Sequence, residues 1–225
     1  MSILALDTAT QAGSVALINH GKTLQSRYFD SGLQHSQRLF IEIEEVLEAS
    51  GCSLQSLEAI AVSIGPGSFT GLRIGLSAAK GLCLGSGVEL VTVSTLDAVA
   101  ARLPFARCPV CVILDARKME VYSALYDMSA GDPQPLSAPQ ILGLAEILET
   151  REGQETIFIG DGTVTYTEHL ATRPWARIAP VSCSRPDASI VGRLAQMKLE
   201  SGETADLTTA EPEYLRQPSA RPKNR

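Results

Sequence analysis

The pattern that most narrows the possible folds is a short apolar run closed by an aspartate, a turn, and a second apolar run. The chain carries it twice. It spans Leu4 to Leu17, with Asp7 closing the first run, and returns as Val112-Ile113-Leu114-Asp115-Ala116-Arg117 followed by Val121 to Tyr126. Two copies of one supersecondary unit imply two related lobes, each with its own sheet. The first lobe is expected over residues 1–105 and a second, less complete one over 106–215, with a short tail from 216 to 225.

Around these units strands and helices alternate, as an α/β sheet with right-handed crossovers requires. In the first lobe the spacing predicts strands at Ile3–Leu6, Ser14–Ile18 and Thr23–Phe29, with Asn19-His20-Gly21 as a hairpin turn. A helix follows from about Gln34 to Ala49. Its apolar arc holds Leu39, Phe40, Ile43, Val46 and Leu47, while Ile41 stands alone among the acidic residues. Ala59–Ile64 is apolar throughout and reads as a central parallel strand. It leads into Gly65-Pro66-Gly67-Ser68-Phe69-Thr70-Gly71 and a helix to about Leu84, then a strand at Val88–Val93 and a helix over Thr95–Arg102. After the second unit come a proline-rich loop at Gly131–Pro139 and a helix over Ile141–Glu149. A strand at Thr156–Ile159, a helix at Val164–Ala171, a strand at Ile178–Val181 and a helix over Asp187–Glu200 complete the pattern.

Charge and cysteine usage remove several function classes. The net charge is −6 and the pI about 5.1, and residues 1–100 carry five Lys/Arg against nine Asp/Glu. An autonomous nucleic-acid binder instead presents a basic face. Arg216, Arg221, Lys223 and Arg225 make the tail basic, and it reads as solvated. The opening residues lack the pattern of a signal peptide, and no apolar run reaches membrane-spanning length, so a cytoplasmic protein without membrane contact is expected. Five cysteines include Cys108-Pro109-Val110-Cys111, whose spacing suits a metal or redox half-site. On a strand, however, positions i and i+3 point to opposite faces, which is poor for chelation. His20, His35 and His169 are far apart in sequence with no ligand spacing, so no metal site and no catalytic constellation is expected.

The Gly-rich turn departs from both common phosphate fingerprints. G-x-x-x-x-G-K-[ST] and G-x-G-x-x-G each fail at Thr70. Backbone N–H groups at a helix N-terminus, able to hold an anion, are what remain. The following helix has an unusually wide apolar arc: Leu72, Leu76, Ala79 and Cys83 form one stripe, and Gly71, Gly75, Ala78 and Leu82 an adjacent one rich in small residues. Such an arc needs cover on two sides, either from the lobe's own first helix or from a partner subunit.

Four blocks carry a resemblance to a known family: Leu4-Ala5-Leu6-Asp7-Thr8-Ala9-Thr10, Gly65 through Gly75, Leu114-Asp115-Ala116-Arg117-Lys118-Met119-Glu120-Val121-Tyr122, and Pro212-Glu213-Tyr214-Leu215-Arg216. With these the chain resembles the bacterial TsaB (YeaZ) family over nearly its whole length. The resemblance implies an actin-like (ASKHA, ribonuclease H-like) duplicated two-lobe fold. It implies a non-catalytic role in making threonylcarbamoyladenosine next to the anticodon of tRNAs that read codons beginning with A. TsaD, the catalytic relative, and the ATPase TsaE are the implied partners, with a homodimer when the chain is alone and tRNA reached only through the complex. TsaD's His-x-x-x-His metal motif corresponds in position to Thr95-Leu96-Asp97-Ala98-Val99, which offers no imidazole. The expected partner interface is Ile41, Gly71, Leu72, Gly75, Leu76, Ala78, Ala79 and Leu82. No cofactor of its own is expected; a vestigial phosphate site would draw on Asp7, Thr8, Gly65, Gly67, Ser68 and Asp115, and whether a nucleotide binds is left open.

Two other classes compete. An independent ATP-dependent enzyme of the sugar kinase superfamily would keep Asp7, Asp115 and the Gly-rich turn as its nucleotide site, in a second lobe with little room for a substrate pocket. A protease would need an identifiable nucleophile.

Overall fold

The computed structural model describes residues 1–30 and 35–216. The expected helix start at Gln34 and the tail beyond Arg216 lie outside the described residues, as does the side chain of His35. In the first lobe β1 (Ser2–Asp7), β2 (Ala12–Asn19) and β3 (Lys22–Asp30) form an antiparallel meander. His20 and Gly21 supply the left-handed pair at its second turn, with φ of 46° and 75°. Asn19 is not in that turn and instead pairs with Lys22. Next come α1 (His35–Ser50), β4 (Ala59–Gly65), α2 (Phe69–Ser86), β5 (Glu89–Ser94) and α3 (Thr95–Ala100). The sheet order is β3-β2-β1-β4-β5, with β4 parallel to both β1 and β5, as its apolar run predicts.

The second lobe contains β6 (Val110–Asp115), β7 (Glu120–Asp127), β8 (Gln134–Pro135), β9 (Gln140–Gly143), α4 (Leu144–Thr150), β10 (Thr156–Ile159), α5 (Gly162–Thr165), α6 (Thr167–Ala171) and β11 (Ala176–Ile178). Its sheet runs β11-β10-β6-β7-β8, with β9 also paired to β7. The helix expected from Ile141 starts at Leu144, because Gln140–Gly143 are taken up as a strand on β7. The single helix expected over Val164–Ala171 is two, broken at Tyr166.

Side-chain parity organises the packing. Along β1 and β2, Leu4, Leu6, Val15 and Leu17 face one layer with Leu39, Ile43 and Val46 of α1 and Leu76 and Ala79 of α2. Ile3, Ala5, Ala16 and Ile18 face the other layer, against α3 and α7 (Ala188–Glu200). The period of two thus gives each sheet face its own core. α7 is the largest departure from expectation: it falls within the residues 106–215 expected for the second lobe, yet it packs across β1, β2, β4 and β5 of the first. Its small residues Ala188 and Ala195 allow close approach, and Ser14 Oγ accepts from Ala188 N at 2.9 Å. α3 lies between the lobes, with Ala98 and Ala101 on the first core and Leu96, Val99 and Ala100 on the second.

The outward side of the first lobe differs from expectation at two residues of α1. Phe40, placed on the apolar arc, is exposed, whereas Glu42 is buried and paired with Arg38 at 2.5 Å. The helix is rotated so that Leu39 and Val46 centre the buried stripe and Phe40 falls at its rim. Among the described residues no helix is long and apolar enough to cross a membrane.

Candidate functional site

Five of the residues singled out by sequence lie in two accessible places: Gly67, Ser68 and Asp115 in the cleft between the lobes, and Ile41 and Leu82 on the outer face of α1 and α2. The cleft has a volume of about 640 Å³. The first turn of α2 and the β1–β2 turn form one wall, and the ends of β6 and β10 with Arg185 form the other.

Of the six residues expected to handle a phosphate, Gly67, Ser68 and Asp115 line this cleft. Asp7, Thr8 and Gly65 do not; all three are buried beneath it. Asp7 accepts from Ser63 Oγ at 2.7 Å and from Ala9 N at 3.2 Å. Burial pushes its carboxyl up to about 6 in spite of these two bonds. Thr8 donates its hydroxyl to Gly71 O at 2.7 Å, and Gly65 N donates to Thr95 Oγ1 at 3.1 Å. The Gly-rich turn is itself stitched shut: Ser68 N donates to Ala9 O at 2.7 Å, and Ser68 Oγ accepts from Gly71 N at 3.3 Å as the N-cap of α2. The Ser68 and Gly71 N–H groups, which could meet a phosphate in an open turn, are thus spent on internal bonds.

The opposite wall is more polar. Asp115 accepts from Tyr166 Oη at 2.8 Å and from Arg117 N at 2.8 Å, while its own N–H donates to Asp161 Oδ1 at 2.9 Å. Burial holds Asp161 above the usual carboxylate range; the neighbouring Asp115 charge adds to this and Arg185 opposes it. Burial and Asp115 likewise push the Tyr166 phenol up to about 12, so it remains a donor at neutral pH. Asp161, Arg117, Arg185 and Tyr166 were not singled out by sequence. The one local signal for Asp161 is Gly160-Asp161-Gly162 directly after a strand, where a side chain at Gly160 would collide with the Ile113 carbonyl.

Elsewhere the chemistry-bearing residues stand apart. His20 contacts the N-terminal amine at 2.8 Å, and His169 sits edge-on to Tyr166. Thr95 is bonded as above, Val99 is fully buried, and Asp97 Oδ1 accepts from Tyr126 Oη at 2.7 Å. Among the described residues no group of three or more His, Cys, Asp or Glu could hold a metal ion. Cys111 is buried 3.5 Å from Ser123 Oγ, and burial pushes its thiol up to about 11.

The outer helix face corrects the expected interface. Gly71, Leu72, Gly75, Leu76, Ala78 and Ala79 are all buried within the chain itself. A Cβ at Gly71 would strike the Thr8 carbonyl and one at Gly75 the Thr8 hydroxyl, so these glycines let α2 lie close on β1. Leu82 is half-buried and Ile41 is exposed, so these two stay accessible. The same outward side exposes Phe40, expected on the buried arc, together with residues not expected at an interface: Leu84, which is 74% exposed, and an outward line of Ser77, Gly81 and Gly85. A side chain at Gly81 or Gly85 would meet nothing within 4 Å. No contact among the described residues requires glycine there, although glycine in a helix interior costs about 1 kcal/mol.

Comparison with known proteins agrees with this architecture. Residues 30–223 match the family described as TsaD: tRNA N6-adenosine threonylcarbamoyltransferase. The chain is 34% identical to the tRNA threonylcarbamoyladenosine biosynthesis protein TsaB of Escherichia coli (strain K12), over 96% of this chain and 95% of that protein. It superimposes on YeaZ from Pseudomonas aeruginosa with a TM-score of 0.83 and 31% identity, covering 95% of this chain and 99% of that one. The ADPNP-bound activator of 2-hydroxyisocaproyl-CoA dehydratase from Clostridium difficile shares the fold alone, with a TM-score of 0.53 and 10% identity.

Proposed function

The chain belongs to the TsaB family of tRNA threonylcarbamoyladenosine biosynthesis proteins, and we propose that it is the non-catalytic partner subunit in that modification. It acts by binding TsaD through the outer face of α1 and α2, with TsaE joining the pair, and it reaches tRNA through the complex. The observation that carries this reading is the 34% identity to a TsaB that extends over 96% of the chain. The geometry supports the docking of a partner on this face. Phe40, Ile41 and Leu84 expose apolar surface on one side of the first lobe, beside a strip of small residues on which another helix can lie closely.

Support for a non-catalytic role lies in how the residues are spent. Thr95 and Val99, which stand where the resemblance places the imidazoles of TsaD, are occupied by a hydrogen bond and by core packing. Asp7, Thr8 and Gly65 are likewise engaged within the fold, which favours a role without a nucleotide of its own over the kinase-like alternative. Reconstituted tRNA modification tests the proposal. With threonylcarbamoyl adenylate, ATP, TsaD and TsaE present, omitting this chain should abolish product, and the chain alone, given the same adenylate and ATP, should make none. Product from this chain alone would restore the enzyme reading.

A further inference from the structure

The last described segment leaves the end of α7 and returns across both lobes. Ala205 N donates to Leu90 O at 2.8 Å, extending the edge of the first sheet beyond β5, and Glu213 N donates to Ile64 O at 2.8 Å at the end of β4. The Tyr214 ring then lies 5.0 Å from that of Phe69. Arg73 covers Phe69 at 3.9 Å and donates through Nε to Tyr214 Oη at 2.9 Å. Two residues later the chain has changed lobes. Arg216 donates to Ala116 O at 3.2 Å in the β6–β7 turn and pairs with Glu120, the first residue of β7. Phe69 and Ala116 line opposite walls of the cleft, so one short segment grips both.

The turn it grips is itself under constraint. Arg117, Lys118 and Met119 adopt φ of 66°, 58° and 63°, three successive left-handed non-glycine residues. L-residues take that conformation singly, and a run of them persists only where the surroundings over-determine it. The surroundings here are specific: Ala116 N bonds Glu120 O, Leu144 N bonds Met119 O, and Asp115 accepts from Arg117 N. Arg216 adds a clasp from the other lobe at both ends of the turn, on Ala116 and on Glu120.

We propose that residues 205–216 are a latch across the inter-lobe cleft, in which Arg216 clasps the left-handed β6–β7 turn and thereby fixes the cleft's second wall relative to the first. The chain also crosses between the lobes at residues 101–109 and 184–188. There Arg102 binds Asp187 at 2.8 Å and Ser182 O at 2.8 Å, so that side acts as the hinge. Hinge and latch together set the aperture, and Arg117, on the clasped turn, moves with it.

Amide hydrogen exchange on the full chain tests the latch. Arg216→Ala, and Glu120→Gln from the other side, should each raise exchange within Ala116–Glu120 by tenfold or more, with a parallel rise at Glu213. Exchange in β1 and β2 should stay within twofold of the wild type. Tyr214→Ala should produce the same rise at the turn by loosening the segment upstream. Unchanged exchange at the turn in all three variants overturns the proposal. So does a rise of equal size throughout β1 and β2, which would make Arg216 a contributor to general stability instead of a latch.

Discussion

In the first lobe the aspartate that closes the opening strand lies sealed beneath the turn, while its counterpart in the second lobe faces the cleft. Parity and helix length explain the difference. Asp7 follows Ile3 and Ala5 onto the face covered by α7, whose thirteen residues run the depth of the sheet and place Asp187 close enough to act on it. Asp115 follows Cys111 and Ile113 onto the face covered by α4, α5 and α6, the last two of only four and five residues and broken at Tyr166. A broken helix layer leaves the strand end uncovered, and Tyr166 Oη and the cleft occupy the gap. A repeated unit therefore does not carry a repeated role. What the unit can do is decided by the layer packed on it, and the covered lobe keeps Asp7 inside while the broken layer leaves Asp115 at the cleft.

The sharpest way to break this comparison is to disturb the cover of the first lobe. Gly75→Leu drives a side chain into Thr8 and should cost about 3 kcal/mol or more through overpacking. Leu76→Glu should unfold the lobe by burying an unpaired carboxylate. One turn and a half further along the same helix, Gly81→Ala enters open space and should gain up to about 1 kcal/mol in helix propensity. Urea titrations of these variants read the contrast directly; equal effects at 75 and 81 would show that α2 does not lie as described.

A smaller effect sharpens the account of Asp7. Its carboxyl is raised from 3.8 in the unfolded reference to about 6 in the fold, so ionisation opposes folding. The penalty is absent below the unfolded value, grows as pH rises from 3.8, and is complete above about 6. Asp7→Asn removes it, and the stability of that variant relative to wild type should increase by about 1 kcal/mol between pH 5 and pH 8. A flat or opposite trend in denaturation at the two pH values would mean that Asp7 is not sealed.

Much of the first lobe can be read from sequence because Ile3–Leu6 and Ala59–Ile64 show strand character on their own. The return of α7 to that lobe cannot, since the pattern of Ala188–Glu200 says which face is buried and not which sheet buries it. Ile141 and Leu142 suit a strand or a helix start equally, and only β7 decides between them. The same limit governs the site. Asp115 is legible because its unit repeats, whereas Asp161 and Arg185 reach it only when β10 pairs with β6. On α2 the wide apolar arc is visible in sequence, but its division into a buried stripe and an outward Ser77-Gly81-Gly85 line depends on where β1 lies.

That division is where the proposed function can be tested most directly. Gly81→Arg and Ile41→Glu alter the outward face without entering the core, so circular dichroism and the melting temperature should stay near wild type. The measurement is the mass in solution of each variant mixed with TsaD. Wild type should form a heterodimer and Gly81→Arg should elute as separate subunits, with Ile41→Glu at least tenfold weaker in affinity. Folded variants that retain full TsaD binding would place the interface elsewhere and contradict the account.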